Sequence, residues 1–263
     1  TELFDLTGKT AIVTGGYGHL GYAMVNVLLE CNANVVVAGR NKDKFLTIFK
    51  NKLDCQNLNF EIIDITSTES IENCFKKIYN KFNTIDILIN NAHTARGNSQ
   101  EKMSDEDWSY TMEGVAGSVH KTIRTVIPFM KKQKQGKIIN ITSMYGLISP
   151  DFHALYEGKN CEMYTNPPHY GAAKAAMIQL TKYFAVLLGE YNIHVNAISP
   201  GPFPKENIQQ DNPEFIKRLK RKNPLHKIGK PDDLVGVIAL LSSSASDFIT
   251  GQTLQVDGGW TIW

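Results

Sequence analysis

Short apolar runs alternate along the chain with longer segments in which apolar residues recur every three to four positions. The runs predict seven strands, at 10–14, 34–38, 58–63, 85–89, 136–142, 193–198 and 253–256. Helical spacing follows most of them, for example over 67–82, over 105–132 and from Tyr170 onward. Strands that alternate with helices predict an α/β protein with one doubly wound parallel sheet and helices on both faces.

Length and composition place this architecture in one soluble domain. The 263 residues contain no linker or repeat, so we expect a single domain over 1–263. No apolar run approaches the roughly 18 residues needed to cross a bilayer, and the net charge of +2 gives no nucleic-acid signature. The four cysteines are widely separated, which favours neither a metal site nor disulfides. We expect a cytoplasmic protein without metal, nucleic-acid or membrane partners.

A glycine-rich turn joins the first strand to the first helix. Between the run 10–14 and the first helical pattern stand Gly15, Tyr17, Gly18, His19, Leu20 and Gly21. Glycines at such a turn let the backbone approach a pyrophosphate, whose charge is stabilised by free N–H groups at the helix N-terminus. The turn predicts a dinucleotide site, the alternative being a tight structural connection.

The end of the second strand indicates which dinucleotide binds. NAD-binding folds place a carboxylate near this point to hold the ribose 2′-hydroxyl, whereas a basic residue suits a 2′-phosphate. Gly39, Arg40 and Asn41 stand here, without an acid. The forked guanidinium of Arg40 favours NADP(H) over NAD(H), unless it is a solvent-exposed arginine at the strand end.

Two polar residues follow the next two strands. Asp64 comes after the third strand and Asn90 after the fourth. Ligands of open α/β sheets bind beyond the carboxyl ends of the strands, so both residues are candidates for cofactor contacts. Either residue could instead be a structural turn residue, and for Asn91 the two readings are nearly equal.

A tyrosine and a lysine four residues apart supply candidate acid–base chemistry. Tyr170 and Lys174 lie in an alanine-rich run and should share one face of a helix. An ammonium beside a phenol favours the phenolate and lowers its pKa from about 10 toward neutrality, which gives a proton donor and acceptor near pH 7. An ordinary helix face has the same spacing.

Several motifs stand in one fixed order along the chain. They are Thr14-Gly15-Gly16-Tyr17-Gly18-His19-Leu20-Gly21, Asn90-Asn91-Ala92, Ser143, Tyr170-x-x-x-Lys174, Pro200-Gly201 and Val256-Asp257-Gly258-Gly259. The series resembles the classical short-chain dehydrogenase/reductase family over essentially the whole chain. The resemblance implies a Rossmann-like domain that binds NAD(P)(H) and assembles as a homotetramer or dimer.

The resemblance also implies roles for individual residues. Tyr170 would exchange a proton with an alcohol or carbonyl, Lys174 would lower the pKa of Tyr170 and hold the nicotinamide ribose, and Ser143 would hydrogen-bond the substrate oxygen. The implied cofactor contacts beyond the glycine turn and Arg40 are Asp64, Ile65, Asn90, Ala92, Tyr170, Lys174, Pro200 and Gly201.

The sequence departs from the family pattern at two positions near the expected site. His19 stands where the family has a glycine, and we expect it beside the phosphates. The helical Asn that completes the family's catalytic tetrad has Gly114 in its place, with no Asn within 108–117. The proton relay that this Asn supports is therefore in doubt: Glu113 or ordered water compensates, or turnover is slow.

A third departure is the long segment 150–168 between Ser143 and Tyr170, which resembles a substrate-loop insertion and is expected to hang over the substrate. A surface or subunit-contact loop is the alternative. Tyr156 stands at the family's ordinary spacing from Ser143 but lacks a Lys four residues later, so it is not expected to be the catalytic tyrosine. Side chains of the segment that suit stacking and hydrogen bonding to a polar ring are Phe152, His153, Tyr156, Glu157 and Tyr164.

Such an insertion, together with the run Ser143-Met144-Tyr145-Gly146, resembles bacterial short-chain oxidoreductases of flagellin modification and nonulosonate-sugar synthesis. This resemblance predicts an NADP(H)-dependent oxidoreductase that interconverts a secondary alcohol and a ketone on a sugar derivative. A second hypothesis is a reductase of 3-oxoacyl groups on a carrier protein, with the basic residues within 217–222 as the docking patch. A third is a cofactor-binding regulatory protein with little catalysis.

Overall fold

All seven predicted strands are present and pair into one parallel sheet, in the order β3-β2-β1-β4-β5-β6-β7. The computed structural model describes residues 2–97, 100–156 and 166–262. Chain order reverses between β1 and β4, so a crevice opens there beyond the carboxyl ends of the strands. The strands are β1 Thr10–Thr14, β2 Asn34–Gly39, β3 Leu58–Ile62, β4 Ile87–Asn90, β5 Gly136–Ile141, β6 Ile193–Pro200 and β7 Thr253–Val256.

The helices include several that the sequence pattern does not predict. A π-helical turn, Glu113–Gly117, interrupts the segment that the sequence pattern predicts as one helix, and a short helix, α6, forms in the predicted insertion. The basic region before Lys230 contains α8 and α9. The helices are α1 Gly21–Glu30, α2 Lys42–Ile48, α3 Thr68–Phe82, α4 Asp105–Met112, α5 Ser118–Gln133, α6 Phe152–Tyr156, α7 Pro168–Leu188, α8 Glu206–Asp211, α9 Pro213–Lys222 and α10 Val235–Ser242.

Helices bury both faces of the sheet, which is why its central strands are apolar along their whole length. Side chains alternate between the faces, so Ile12 packs toward α3, α5 and α7 while Val13 packs toward α1 and α10. Each face carries one apolar cluster, and no helix in residues 2–97, 100–156 and 166–262 is both long and apolar enough to cross a membrane.

The backbone of α7 lies directly against the turn Met144–Gly146 that follows β5. A Cβ on Gly171 would stand 2.8 Å from the Tyr145 carbonyl oxygen, and a Cβ on Gly146 would stand 2.8 Å from the carbonyl carbon of Lys174. Real Cβ atoms do not approach so closely, so both positions require glycine. The contact fixes the position of α7, and of Tyr170 on it, relative to the end of β5.

This contact predicts opposite stability changes for two helical glycines. Gly171→Ala should destabilise the protein by about 1–3 kcal/mol, because the added methyl overpacks a backbone contact. Gly236→Ala should stabilise it by about 0.5–1 kcal/mol, because Gly236 near the start of α10 has nothing within 4 Å of its Cβ position and alanine favours helix. Urea unfolding of both variants measures the difference, and equal gains in stability would contradict the close contact.

Candidate active site

A cavity of about 360 Å³ opens beyond the carboxyl ends of β4, β5 and β6. Ser143, Tyr170, Lys174, Pro200 and Gly201 all line it, so the structure brings together the three predicted catalytic residues and the pair predicted at the nicotinamide. We call it the Tyr170 cavity. The part of the chain that the structure describes contains no group of three or more His, Cys, Asp or Glu side chains that could hold a metal ion.

Ser143 and Tyr170 lie within hydrogen-bonding distance of each other on the wall of this cavity. Ser143 ends the extended segment after β5, and its Oγ accepts a hydrogen bond from the Tyr145 N–H at 3.2 Å. Burial raises the pKa of Tyr170, and a hydrogen bond with Ser143 lowers it by a smaller amount. In the protein alone the Tyr170 pKa is therefore raised, opposite to the lowering expected from the sequence.

Lys174 is fully enclosed one turn further along α7. Its Nζ donates to the Ile141 carbonyl oxygen at 2.8 Å and lies 5.7 Å from the centre of the Tyr170 ring. Burial lowers the pKa of Lys174 from its ordinary 10.5 to about 7. The ammonium is therefore poised to lose its proton close to neutral pH.

His93 is a site residue that sequence reasoning missed. Its ring centre lies 6.1 Å from that of Tyr170, and it lines the Tyr170 cavity. Burial, and to a smaller extent the Lys174 ammonium, lowers the pKa of His93 to about 4. The imidazole is therefore neutral at physiological pH. Its position directly after Asn90-Asn91-Ala92 was the signal that could have indicated it.

A second cavity begins where the first ends. The two share Leu20, Asn91, His93 and Phe203 on their walls. We call the second one the dinucleotide cavity, because most of the predicted cofactor contacts line it. Those residues are Gly15, Tyr17, Gly18, His19, Leu20, Arg40, Ile65 and Ala92.

The glycine turn fits a dinucleotide. Gly15 has φ of +65°, which favours glycine, and its Cβ would stand 3.1 Å from the Cβ of Ala92. Gly21 begins α1, and a Cβ there would stand 2.5 Å from the Gly15 carbonyl oxygen. The turn is therefore compact and lies at the start of α1, where a backbone without side chains can approach a phosphate. Exposed Arg40 lines the same cavity.

Asn90, a predicted cofactor contact, lines neither cavity. It is 3% exposed, its side-chain amide donates to the Asn140 Oδ1 at 2.9 Å, and its Oδ1 accepts from the Thr122 hydroxyl at 2.7 Å. These bonds hold β4 to β5 and α5. The next residue, Asn91, lines both cavities and donates its side-chain amide to the Thr14 and Gly15 carbonyls.

Asp64 is also turned away from the predicted contact. Its carboxylate accepts hydrogen bonds from the Thr66 N–H and hydroxyl at 2.9 and 2.8 Å, and these bonds lower the pKa of Asp64. The carboxylate thus closes the turn before α3. Ile63 and Ile65 form the cavity wall at this point, which makes it an apolar surface.

The place of the missing helical Asn is filled by Thr94. A Cβ on Gly114 would collide with the Thr94 hydroxyl, and the Thr94 N–H donates to the Gly114 carbonyl at 3.2 Å. The Thr94 hydroxyl is buried without a hydrogen-bond partner among the described residues. Glu113, expected as a possible replacement, instead forms an ion pair with Lys121.

The fold and the two joined cavities define an NAD(P)-binding α/β protein. Residues 18–261 match the family model described as enoyl-(acyl carrier protein) reductase, and the chain belongs to the classical short-chain dehydrogenase/reductase family. It is therefore an oxidoreductase that acts on alcohol or ketone groups with a nicotinamide cofactor.

Similar proteins span the whole chain. A 3-oxoacyl-(acyl-carrier-protein) reductase of Chlamydia pneumoniae is 32% identical over 97% of this chain and 98% of its own length. The crystal structure of a gluconate 5-dehydrogenase from Burkholderia cenocepacia J2315 in complex with NADP and tartrate is 28% identical, covering 100% of this chain and 98% of that chain with a TM-score of 0.88.

Burial of Lys174 predicts a pH-dependent stability change in Lys174→Met. The folded-state pKa of about 7 lies below the ordinary 10.5, so the unfolded chain binds the proton more tightly and the protein gains stability as pH rises between these values. The destabilisation of the wild type by its buried, protonated Lys174 is fully present below pH 7 and disappears as the pH rises toward 10.5. The free energy of unfolding of Lys174→Met, taken relative to that of the wild type, should therefore be about 2–3 kcal/mol larger at pH 7 than at pH 9.5.

Urea unfolding at the two pH values measures this difference. Lys182→Met, which removes an exposed lysine of the same helix, is the matched control. It should change the free energy of unfolding by the same amount at both pH values. A Lys174→Met advantage that does not change with pH would show that the folded protein does not perturb the ammonium.

Proposed function

We propose that this protein is an NADP(H)-dependent oxidoreductase that interconverts a secondary alcohol and a ketone on a sugar derivative. One observation carries the proposal: the dinucleotide cavity, with Arg40 on its wall, opens into the cavity lined by Ser143, Tyr170 and Lys174. A cofactor in the first cavity would reach a substrate in the second.

The chain's own residues supply the proton and its electrostatic support, while bound NADPH supplies a hydride. The Tyr170 hydroxyl donates its proton to the ketone oxygen, to which the Ser143 hydroxyl also donates a hydrogen bond. The phenolate that remains is stabilised by the Lys174 ammonium. Oxidation of the alcohol runs through the same groups in reverse.

Arg40 is the basis for NADP(H) as the cofactor. Its guanidinium is exposed, lines the dinucleotide cavity and follows β2 directly. A guanidinium matches the oxygens of a 2′-phosphate in a bidentate manner, whereas NAD(H) offers only a hydroxyl there. The similar gluconate 5-dehydrogenase structure contains NADP, which supports the same choice.

Two observations support the substrate class. The gluconate 5-dehydrogenase is named for a sugar acid, and the segment 150–168 adds polar aromatic side chains between Ser143 and Tyr170. We place the reaction in the cytoplasm, in bacterial surface-glycan synthesis such as flagellin or nonulosonate modification. We also propose a homo-oligomer, tetrameric or dimeric, because Tyr183, Val186 and Leu187 expose apolar surface on α7.

A reductase of carrier-linked 3-oxoacyl groups is the second candidate, favoured by the name of the Chlamydia relative. Its proposed docking patch is partly engaged elsewhere. Lys222 pairs with Asp151 at 2.5 Å, and Arg218 donates to the Leu155 carbonyl at 3.3 Å. A regulatory protein with little catalysis is the third candidate, because Gly114 replaces the tetrad Asn.

Rates of NADPH and NADH oxidation with keto sugars, keto sugar acids and an acetoacetyl thioester separate these candidates. We expect turnover with a keto sugar derivative and NADPH. Arg40→Ala should raise the KM for NADPH by about tenfold to a hundredfold, because a charge-assisted hydrogen-bonded pair contributes about 1.5–3 kcal/mol, and should leave the KM for NADH unchanged.

Each other outcome contradicts a specific part of the proposal. A preference for the thioester would favour the carrier-linked reductase. Tight NADPH binding without turnover of any ketone would favour the regulatory protein. An Arg40→Ala variant with unaltered NADPH affinity would remove the basis for NADP(H).

A further inference from the structure

Two tyrosines form a hydrogen-bonded pair on the wall of the Tyr170 cavity. The hydroxyl oxygens of Tyr145 and Tyr156 are 2.6 Å apart, and the residues are only 7% and 5% exposed. Both line the cavity that Ser143 and Tyr170 line. Tyr156, which the sequence excludes as the catalytic tyrosine, therefore reaches the site in another capacity.

Tyr145 and Tyr156 are positioned by contacts with two different helices. Tyr145 lies in the turn that α7 contacts through Gly171. Tyr156 ends α6, and its ring packs against Phe215 of α9 with centroids 5.7 Å apart. The start of this segment is tied to the same helix by the Asp151–Lys222 ion pair.

The rest of the predicted insertion contributes less to the cavity. Phe152 and His153 are exposed. Glu157 and Tyr164, also predicted to face a polar ring, lie outside the described residues. Among the described members of that set, only Tyr156 lines the Tyr170 cavity.

The pair has hydrogen-bonding capacity left over. Two phenols carry two O–H donors, and the bond between them uses one. Apart from this bond, neither hydroxyl has a hydrogen-bond partner in residues 2–97, 100–156 and 166–262. Burial raises the pKa of both tyrosines, so both remain neutral phenols. One donor and several lone pairs are thus available at a fixed position.

The apolar surroundings of the two phenols make their hydrogen-bonding capacity selective for a ligand hydroxyl. Apolar side chains from the turn after β5, from α8 and from α9 form the neighbouring wall: Met144, Ile208, Phe215 and Leu219. A buried polar group left unpaired is unfavourable, so a ligand that pairs with the phenols binds more tightly than one that does not. A hydroxyl both donates and accepts, which matches the pair, whereas neutral phenols provide no charge to balance a carboxylate.

We propose that Tyr145 and Tyr156 form a subsite for a hydroxyl group of the substrate, separate from the oxygen that Ser143 and Tyr170 bind. The inference rests on the proposed function and deepens it, because it makes a polyhydroxylated substrate the preferred class. A simple acyl chain presents no hydroxyl to this subsite.

Equilibrium binding of matched alcohols to the NADPH-loaded enzyme tests the subsite without turnover. Cyclohexanol carries one hydroxyl, and the isomeric cyclohexanediols add a second. We expect at least one diol to bind about three to ten times more tightly than cyclohexanol to the wild type, the contribution of one neutral hydrogen bond. Tyr145→Phe and Tyr156→Phe, which keep the rings, should abolish that preference while cyclohexanol binds unchanged.

Tyr22→Phe removes an exposed phenol of α1 that lines neither cavity and should retain the preference. NMR titration measures the dissociation constants. Wild type that does not discriminate the diols from cyclohexanol, or a preference that survives both cavity variants, would overturn the subsite. Failure of the proposed function has a different signature, namely no oxidation of NADPH with any ketone of the panel.

Discussion

The contact between α7 and the turn after β5 determines the geometry of the site. Gly146 and Gly171 let two backbones meet where side chains would hold them apart. The turn carries Ser143 at its start and Tyr145 in its middle, and the helix carries Tyr170 and Lys174. Four of the side chains that define the cavity therefore depend on one interaction between backbones, which is stiffer than an interaction between flexible side chains.

Burial then determines the chemistry that this geometry offers. It raises the pKa of Tyr170 and lowers the pKa of Lys174 to about 7. It also keeps His93 neutral, with a pKa of about 4. Among Tyr170, Lys174 and His93, the group closest to titrating at neutral pH is therefore the lysine, while the phenol holds its proton. A protonated phenol is the state that can donate a proton to a ketone.

The sequence predicts the sheet and the glycine turn well, because apolar runs and glycines before a helix have few other structural uses. It predicts individual contacts less well. Asn90 and Asn91 are consecutive at the end of β4, and side chains there alternate in direction, so the pattern does not distinguish which faces the cavity. The same difficulty applies to Asp64, whose side chain closes its own turn while Ile63 and Ile65 face the dinucleotide cavity. The sequence includes Tyr156 among the side chains suited to a polar ring but does not predict its hydrogen bond with Tyr145, because the two residues are eleven positions apart and Tyr156 packs against α9.

The most direct test of the account is the single-turnover oxidation of bound NADPH by a reactive ketone in wild type and in Tyr170→Phe. The account predicts that the loss of the hydroxyl slows this step by about a hundredfold to ten-thousandfold, the usual contribution of a general acid. A rate in Tyr170→Phe within twofold of wild type would contradict the assignment of Tyr170 as the proton donor, and with it the catalytic role of the cavity.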